Sequence, residues 1–288
     1  VRRPVRMTIV GASVLALSLG GTAATAAPAK HHPGHGGGDL FVLSQSGVLT
    51  RHDSALRLLP TSGKRVTGVA GNDRLIGLDA RPATGGLYAL SRSGQLYRID
   101  ADTAAATAVG TPIALQGKAI GFDFNPTVDR IRVVTDTGQN LRLHPDTGAV
   151  AGTDTPLSYP NEKRAPQVAA SGYTNSVAGA TATALYGLDS GRDTLVKQGS
   201  LPGETPVVSP NTGQLTTIGR LGLNISAVNG FDITGAASAG AYNPRDYKAV
   251  AAVRSYGLSL LVGIDLATGR ARVISPLLTH AVGVTFVR

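Results

Sequence analysis

Ile76-Gly77-Leu78-Asp79-Ala80-Arg81 opens a stretch that continues through Gly86-Leu87-Tyr88-Ala89-Leu90 and Gln95-Leu96-Tyr97-Arg98-Ile99 to Ala106–Val109. Three turn sequences separate these runs: Pro82-Ala83-Thr84-Gly85, Ser91-Arg92-Ser93-Gly94 and Asp100-Ala101-Asp102-Thr103. Each run alternates in polarity, as a half-buried strand does, and the glycines supply the positive φ that tight hairpins need. The stretch therefore predicts four short antiparallel strands in succession. Its opening pattern, glycine followed by a large apolar residue and then Asp or Thr, recurs along the chain. The other copies are Gly121-Phe122-Asp123, Gly172-Tyr173-Thr174, Gly230-Phe231-Asp232 and Gly283-Val284-Thr285, with starts 44, 51, 58 and 53 residues apart. Four-stranded units at a period of about 40–50 residues indicate a β-propeller with one copy per blade.

The same scheme is legible after the other copies. Arg130-Ile131-Arg132-Val133-Val134 and Asn140-Leu141-Arg142-Leu143 follow the second, and Ala184–Leu188 and Thr194–Lys197 follow the third. Ala249–Val253 and Leu258–Ile264 follow the fourth. The last copy stands at the end of the chain with no strands after it. Leu40-Phe41-Val42-Leu43, Val48-Leu49-Thr50-Arg51 and Leu56-Arg57-Leu58-Leu59 supply the missing three from the other end. The expected fold is thus all-β: a five-bladed propeller over residues 39–288 in which the C-terminal strand completes the N-terminal blade. Such closure removes two sheet edges that would invite aggregation. Six blades are the alternative if Ala151–Ala170 or Leu201–Leu221 hold further strands.

Four segments carry a family resemblance: Gly77-Leu78-Asp79-Ala80-Arg81-Pro82, Gly121-Phe122-Asp123-Phe124-Asn125-Pro126, Ala169-Ala170-Ser171-Gly172-Tyr173-Thr174-Asn175-Ser176 and Val228-Asn229-Gly230-Phe231-Asp232-Ile233. With them, nearly all of residues 39–288 resembles the bacterial family called domain of unknown function 4394. The Tyr-Thr-Asn-Ser segment is the most specific of the four. The resemblance implies a propeller-like, exported protein, and it transfers no catalytic residue because the family has no assigned activity.

Residues 1–26 read as a secretory signal: Arg2, Arg3 and Arg6 precede the apolar stretch Met7–Leu19, and Ala24-Thr25-Ala26 offers a cleavage site. Val1 in place of Met points to an alternative bacterial start codon. Residues 27–38, with His31, His32 and His35 before a glycine run, read as a flexible leader. The expected location is secreted or cell-wall associated. The chain has no cysteine, so neither a disulfide framework nor lipidation after the signal is available. The net charge of +9 falls to +6 once Arg2, Arg3 and Arg6 are set aside. That surplus is spread along the chain, which favours anionic surfaces such as wall polymers and gives no nucleic-acid footprint.

The chemistry is read on the ring of inner strands. Asp79, Asp123 and Asp232 with Thr174 and Thr285 are expected near one another around the channel. Carboxylates with hydroxyls are hard oxygen ligands suited to Ca²⁺, while the repetition of the feature in every blade argues for a structural role in pinning neighbouring blades. Arg92, Arg192 and Arg254 fall in turns between second and third strands, where guanidinium groups would hold carboxylates or phosphates. Tyr159 sits in the long irregular segment Thr153–Val168, read as a specificity loop. No G-x-S-x-G, H-E-x-x-H or phosphate loop occurs, and His52, His144 and His280 are far apart. The function expected is a monomeric binding or interaction scaffold at the bacterial cell surface, with an anionic glycan, wall polymer or protein as ligand. The alternatives are a metal-assisted hydrolase or lyase working through the Asp ring, and a purely structural or adhesion protein.

Overall fold

The computed structural model describes residues 38–53, 59–226, 229–235 and 241–287. Residues 1–26, read as a signal, and nearly all of 27–38, read as a leader, lie outside them. The first three strands, β1 (Asp39–Ser44), β2 (Val48–His52) and β3 (Ser62–Arg65), belong to blade one. Blade two holds β4 (Leu75–Ala80), β5 (Leu87–Ser91), β6 (Leu96–Ile99) and β7 (Ala106–Val109). Blade three holds β8 (Ile120–Asn125), β9 (Arg130–Thr135), β10 (Asn140–Leu143) and β11 (Val150–Thr153). Blade four holds β12 (Val168–Tyr173), β13 (Leu185–Asp189), β14 (Thr194–Gln198) and β15 (Leu215–Arg220), and blade five holds β16 (Gly230–Thr234), β17 (Lys248–Ser255), β18 (Leu258–Ile264) and β19 (Ala271–Pro276).

The last strand, β20 (Ala281–Val287), pairs antiparallel with β1, so that Leu40 faces Phe286 and Phe41 faces Thr285. Blade one therefore has the order β20-β1-β2-β3, with the C-terminal strand innermost. Five blades and the strand clasp agree with the sequence pattern. Among the described residues, Ala151–Ala170 and Leu201–Leu221, the two segments in which a sixth blade was allowed for, hold as strands only parts of β11 and β12 and the outer strand β15, and no additional blade. One strand differs from its expected place. Leu56–Leu58 lies outside the described residues, and the outer strand of blade one is Ser62–Arg65, exposed at all four positions. An outer strand has solvent on one side, so a polar run fits there.

The core is divided among the five seams between blades. Phe41, Leu78 and Tyr97 fill the seam of blades one and two, and Tyr88, Phe122 and Phe124 that of blades two and three. Val134, Leu157 and Val168 meet between blades three and four, Tyr186, Phe231 and Ile233 between four and five, and Val42, Val250 and Val284 between five and one. Strand alternation produces this division: each blade buries one set of side chains against the previous blade and the other against the next. Near the axis, where the inner strands crowd, glycine is required. A Cβ on Gly230 would stand 2.7 Å from Val284 N and 2.8 Å from the Gly283 backbone.

Candidate functional site: the axial carboxylates

Asp79, Asp123 and Asp232 are all buried, and one carboxylate oxygen from each lies within 4.8 Å of the others. The inner strands β4, β8 and β16 deliver them, each two residues beyond the glycine of its copy. Every one of the three also reaches the next blade. Asp79 Oδ2 accepts from Phe124 N at 2.7 Å, Asp123 Oδ1 from Tyr173 N at 2.9 Å and Asp232 Oδ2 from Phe286 N at 2.6 Å. Thr285 completes the group: its Oγ1 donates to Asp79 Oδ1 at 2.8 Å and accepts from Ala80 N at 3.2 Å. These bonds are the blade pinning expected from the repeat.

Thr174 is not part of the ring. Gly172 faces Tyr186 as Asp79 faces Tyr88, and Ala170 faces Leu188 as Gly77 faces Leu90. The donor to Asp123, Tyr173 N, follows Gly172, just as Phe124 N follows Asp123. Glycine thus stands in blade four where the other blades carry Asp or Thr, and the Gly-Tyr-Thr copy is displaced by two residues along the strand. Thr174 lies just past the end of β12, fully buried, where its Oγ1 accepts from Ala184 N at 2.8 Å. A two-residue slip keeps the side chain on its face of the sheet, so alternation gives no warning of it.

Burial, then the charge of Asp232, raises the Asp79 carboxyl well above the usual carboxylate range. Burial, then the charges of Asp79 and Asp232, does the same to Asp123. Asp123 Oδ2 is buried without a hydrogen-bond partner. On the same inner strands, next to this layer, Gly77, Ile120, Ser171, Asn229, Phe231 and Gly283 are among the residues around a cavity of about 10 Å³. Two further buried oxygens without partners, Ser171 Oγ and Asn229 Oδ1, belong to its lining. A space of that size takes about one water molecule. The carboxylate donor set suits a hard cation, and the neighbouring cavity is too small for an organic substrate.

The arginines and Tyr159 lie elsewhere. Arg92 follows β5, whose end faces the start of β4, so about four strand residues, roughly 13 Å, separate its turn from the level of Asp79. Its Nη2 donates to Lys118 O at 2.5 Å and its Nη1 to Gly117 O at 3.4 Å, stapling the connection into blade three. Arg192 packs over the Tyr159 ring at 3.9 Å and pairs with Glu162 at 2.7 Å. Tyr159 is buried and donates to Asp189 Oδ2 at 2.6 Å. Burial and then that bond push its phenol far up, so it stays protonated. The segment read as a specificity loop is therefore anchored against blade four by its own tyrosine. Arg254 is exposed at the end of β17.

Two further arrangements lack an obvious mark in the sequence. Arg132, 2% exposed, faces Asp123 across the sheet but directs its guanidinium to Asn140 Oδ1 at 2.8 Å, Asp154 Oδ2 at 2.6 Å, Asn211 Oδ1 at 2.6 Å and Tyr173 Oη at 3.2 Å. Asn175 adopts φ 57°, accepts from Tyr247 Oη at 2.7 Å and donates to Ala182 O at 2.7 Å, joining blades four and five. Asn tolerates the left-handed region better than most residues, which is the signal its neighbourhood offered. A cleft of about 340 Å³ opens at the outer side of blade four, lined by Lys197, Ser200, Glu204, Thr205, Pro206 and Gln214 among others.

Among solved structures, a crystal structure of a nidogen/laminin complex superposes with a TM-score of 0.47 at 16% identity, covering 88% of this chain and 99% of that one. The dihydro-heme d1 dehydrogenase NirN in complex with DHE gives 0.36 at 13% identity, covering 85% and 55%. BamB from Moraxella catarrhalis gives 0.30 at 18% identity, covering 81% and 57%. Likenesses at this level carry no inference about activity or ligand. No curated protein matches the sequence. The model of the family described as domain of unknown function (DUF4394) matches residues 49–285, which takes in four inner strands and most of the fifth, and the chain belongs to that family.

Proposed function

We propose that this propeller is a non-enzymatic binding scaffold at the outer face of a bacterial cell, and that its ligand is an anionic wall polymer or similar glycan. The observation that carries this reading is the closure of the axis. The carboxylates that would have to act on a substrate are buried, the cavity beside them between the inner strands is only about 10 Å³, and Arg92, Arg192 and Tyr159 are engaged with neighbouring segments. What remains for a ligand is the outer surface. Its cleft of about 340 Å³ mixes Lys197, Glu204, Ser200 and Gln214 with the apolar Pro206 and Val208, and reaches the lower end of ligand-pocket sizes. Sugars take that mixture, hydrogen bonds at their edges and apolar contact on their faces. The positive balance of the chain supports an acidic ligand.

Co-sedimentation with purified bacterial cell walls tests the proposal. The protein is expected to pellet with walls, to be released by salt, and to bind several-fold more weakly with Gln214→Ala and Thr216→Ala in the cleft. Protein that stays in the supernatant at low salt, and that gives no signal on an array of soluble acidic glycans, would overturn it.

A further inference from the structure

We propose that Asp79, Asp123 and Asp232, with the hydroxyl of Thr285 beside them, hold one divalent cation of the calcium type on the propeller axis, as a structural ion that ties the blades. The inference is independent of the wall-binding proposal.

The first support is geometric. Three carboxylate oxygens, all within 4.8 Å of one another, fit around a single ion whose bonds to oxygen are about 2.3–2.6 Å long. Their donors fix them. Backbone N–H groups of neighbouring strands hold Asp79, Asp123 and Asp232, and Thr285 holds Asp79 from the other side. Blades one, two, three and five therefore meet at this point, and blade four places glycine there.

The second support comes from buried polar atoms without partners, one in the carboxylate cluster and two beside it. Folded proteins pair nearly all their buried polar atoms, and an exception asks for a missing ion or water. Seven buried side-chain atoms lack a partner among the described residues, and Asp123 Oδ2, Ser171 Oγ and Asn229 Oδ1 are three of them. Ser171 is 2% exposed and stands in the seam between β8 and β12, where a Cβ on Gly121 would come within 2.5 Å of its Oγ. That is the seam in which Asp123 accepts from Tyr173 N. Ser171 and Asn229 also line the axial cavity. Asp123 Oδ2 is thus open to a cation, and the two orphan oxygens of the neighbouring cavity have room for about one water.

Charge gives the third support. Carboxylates this close cannot all ionise without a counter-charge. The Arg132 guanidinium, the cation on the facing strand, makes its hydrogen bonds to Asn140, Asp154, Asn211 and Tyr173. A divalent ion supplies the charge at the centre. Burial selects its type: Mg²⁺ keeps several waters, and the three carboxylates are at most 5% exposed, whereas Ca²⁺ accepts an irregular set of protein oxygens.

The test uses the whole chain, unfolded and refolded either with EDTA or with CaCl₂ so that a buried ion can exchange. Native mass spectrometry is expected to show one Ca²⁺ per chain after refolding with calcium, and thermal unfolding to rise by about 5 °C relative to the EDTA sample, with MgCl₂ giving a much smaller shift. Asp123→Asn, which keeps the shape and removes one charge, is expected to fold and to lose both the bound ion and the calcium-dependent shift. The parent protein decides the question even if that variant fails to fold. No retained calcium and an unchanged melting temperature at millimolar CaCl₂ would show that the carboxylates hold protons instead. Undiminished calcium binding by a folded Asp123→Asn would equally overturn the assignment.

Discussion

Gly230 and Gly263 are both strand glycines, yet their surroundings differ in a way that sets the effect of adding one methyl group. At Gly230 a Cβ would meet backbone atoms of β20 at 2.7–2.8 Å, so two inner strands would have to part. At Gly263 the nearest atom is the end of the Ile274 side chain at 3.6 Å, an ordinary contact. Gly230→Ala is therefore expected to destabilise by about 1–3 kcal/mol, in the range of overpacked cores, and Gly263→Ala by less than about 1 kcal/mol. Urea midpoints of the two variants check this, and equal midpoints would contradict the close approach at the axis. Asn175 makes a second case. Its φ of 57° and its side-chain bonds to Tyr247 and Ala182 give Asn175→Ala both backbone strain and lost partners. The expected loss is about 2–3 kcal/mol. Asn175→Gly relieves the strain alone, so its urea midpoint should lie between those of parent and alanine variant.

At the scale of elements, the seam between blades three and four stands apart because its centre is ionic. Arg132 occupies the second-strand position that Tyr88 and Tyr186 fill in their blades, and Asp154 answers it from the end of blade three. Burial raises the Asp154 carboxyl, but hydrogen bonds from Arg142 and Arg132 outweigh it and hold the group below the ordinary carboxylate range. A depressed carboxylate stabilises fully above its unfolded value, about 3.9, and loses that contribution as pH falls through the lower folded value. Asp154→Asn should therefore destabilise at neutral pH by about 3–5 kcal/mol, since it leaves a buried guanidinium short of its counter-charge. It should also flatten the loss of stability between pH 5 and 2. Urea unfolding across that range is the measurement, and a parallel acid limb in the variant would count against the role given to Asp154. Arg132 also marks a limit on reading this chain. Arg130-Ile131-Arg132 alternates like a strand with one wet face, and only the packing of blade four turns that face inward. The slip at Gly172-Tyr173-Thr174 has a related cause. The tripeptide imitates the other copies, while its true register is set by cross-strand partners. The blades, the clasp and the three aspartates were legible because each rests on local alternation and turn chemistry. Seam partners come from distant parts of the chain and leave no periodic trace.

At the scale of the whole molecule, the ring is held by two unlike devices that meet in β20. One is the sheet itself, since β20 lies hydrogen-bonded along the full length of β1. The other is the set of axial hydrogen bonds: Thr285 gives its hydroxyl to Asp79 of blade two, and Phe286 N gives its proton to Asp232 of blade five. Val284 adds apolar contact in the seam of blades five and one. Removing residues 281–288 would then expose the inner edge of β1, leave the Asp79 and Asp232 carboxylates short of donors inside the protein, and open a seam. The loss is cooperative, because each blade buries its faces only against its neighbours. A chain ending at His280 is accordingly expected to show no sharp thermal transition and to associate through the exposed edge. A synthetic peptide of residues 281–288 should bind it by strand addition and restore part of the transition. A truncated chain that melts within about 2 °C of the parent, a shift worth roughly 1 kcal/mol or less at this size, would mean that the other four seams suffice to close the circle.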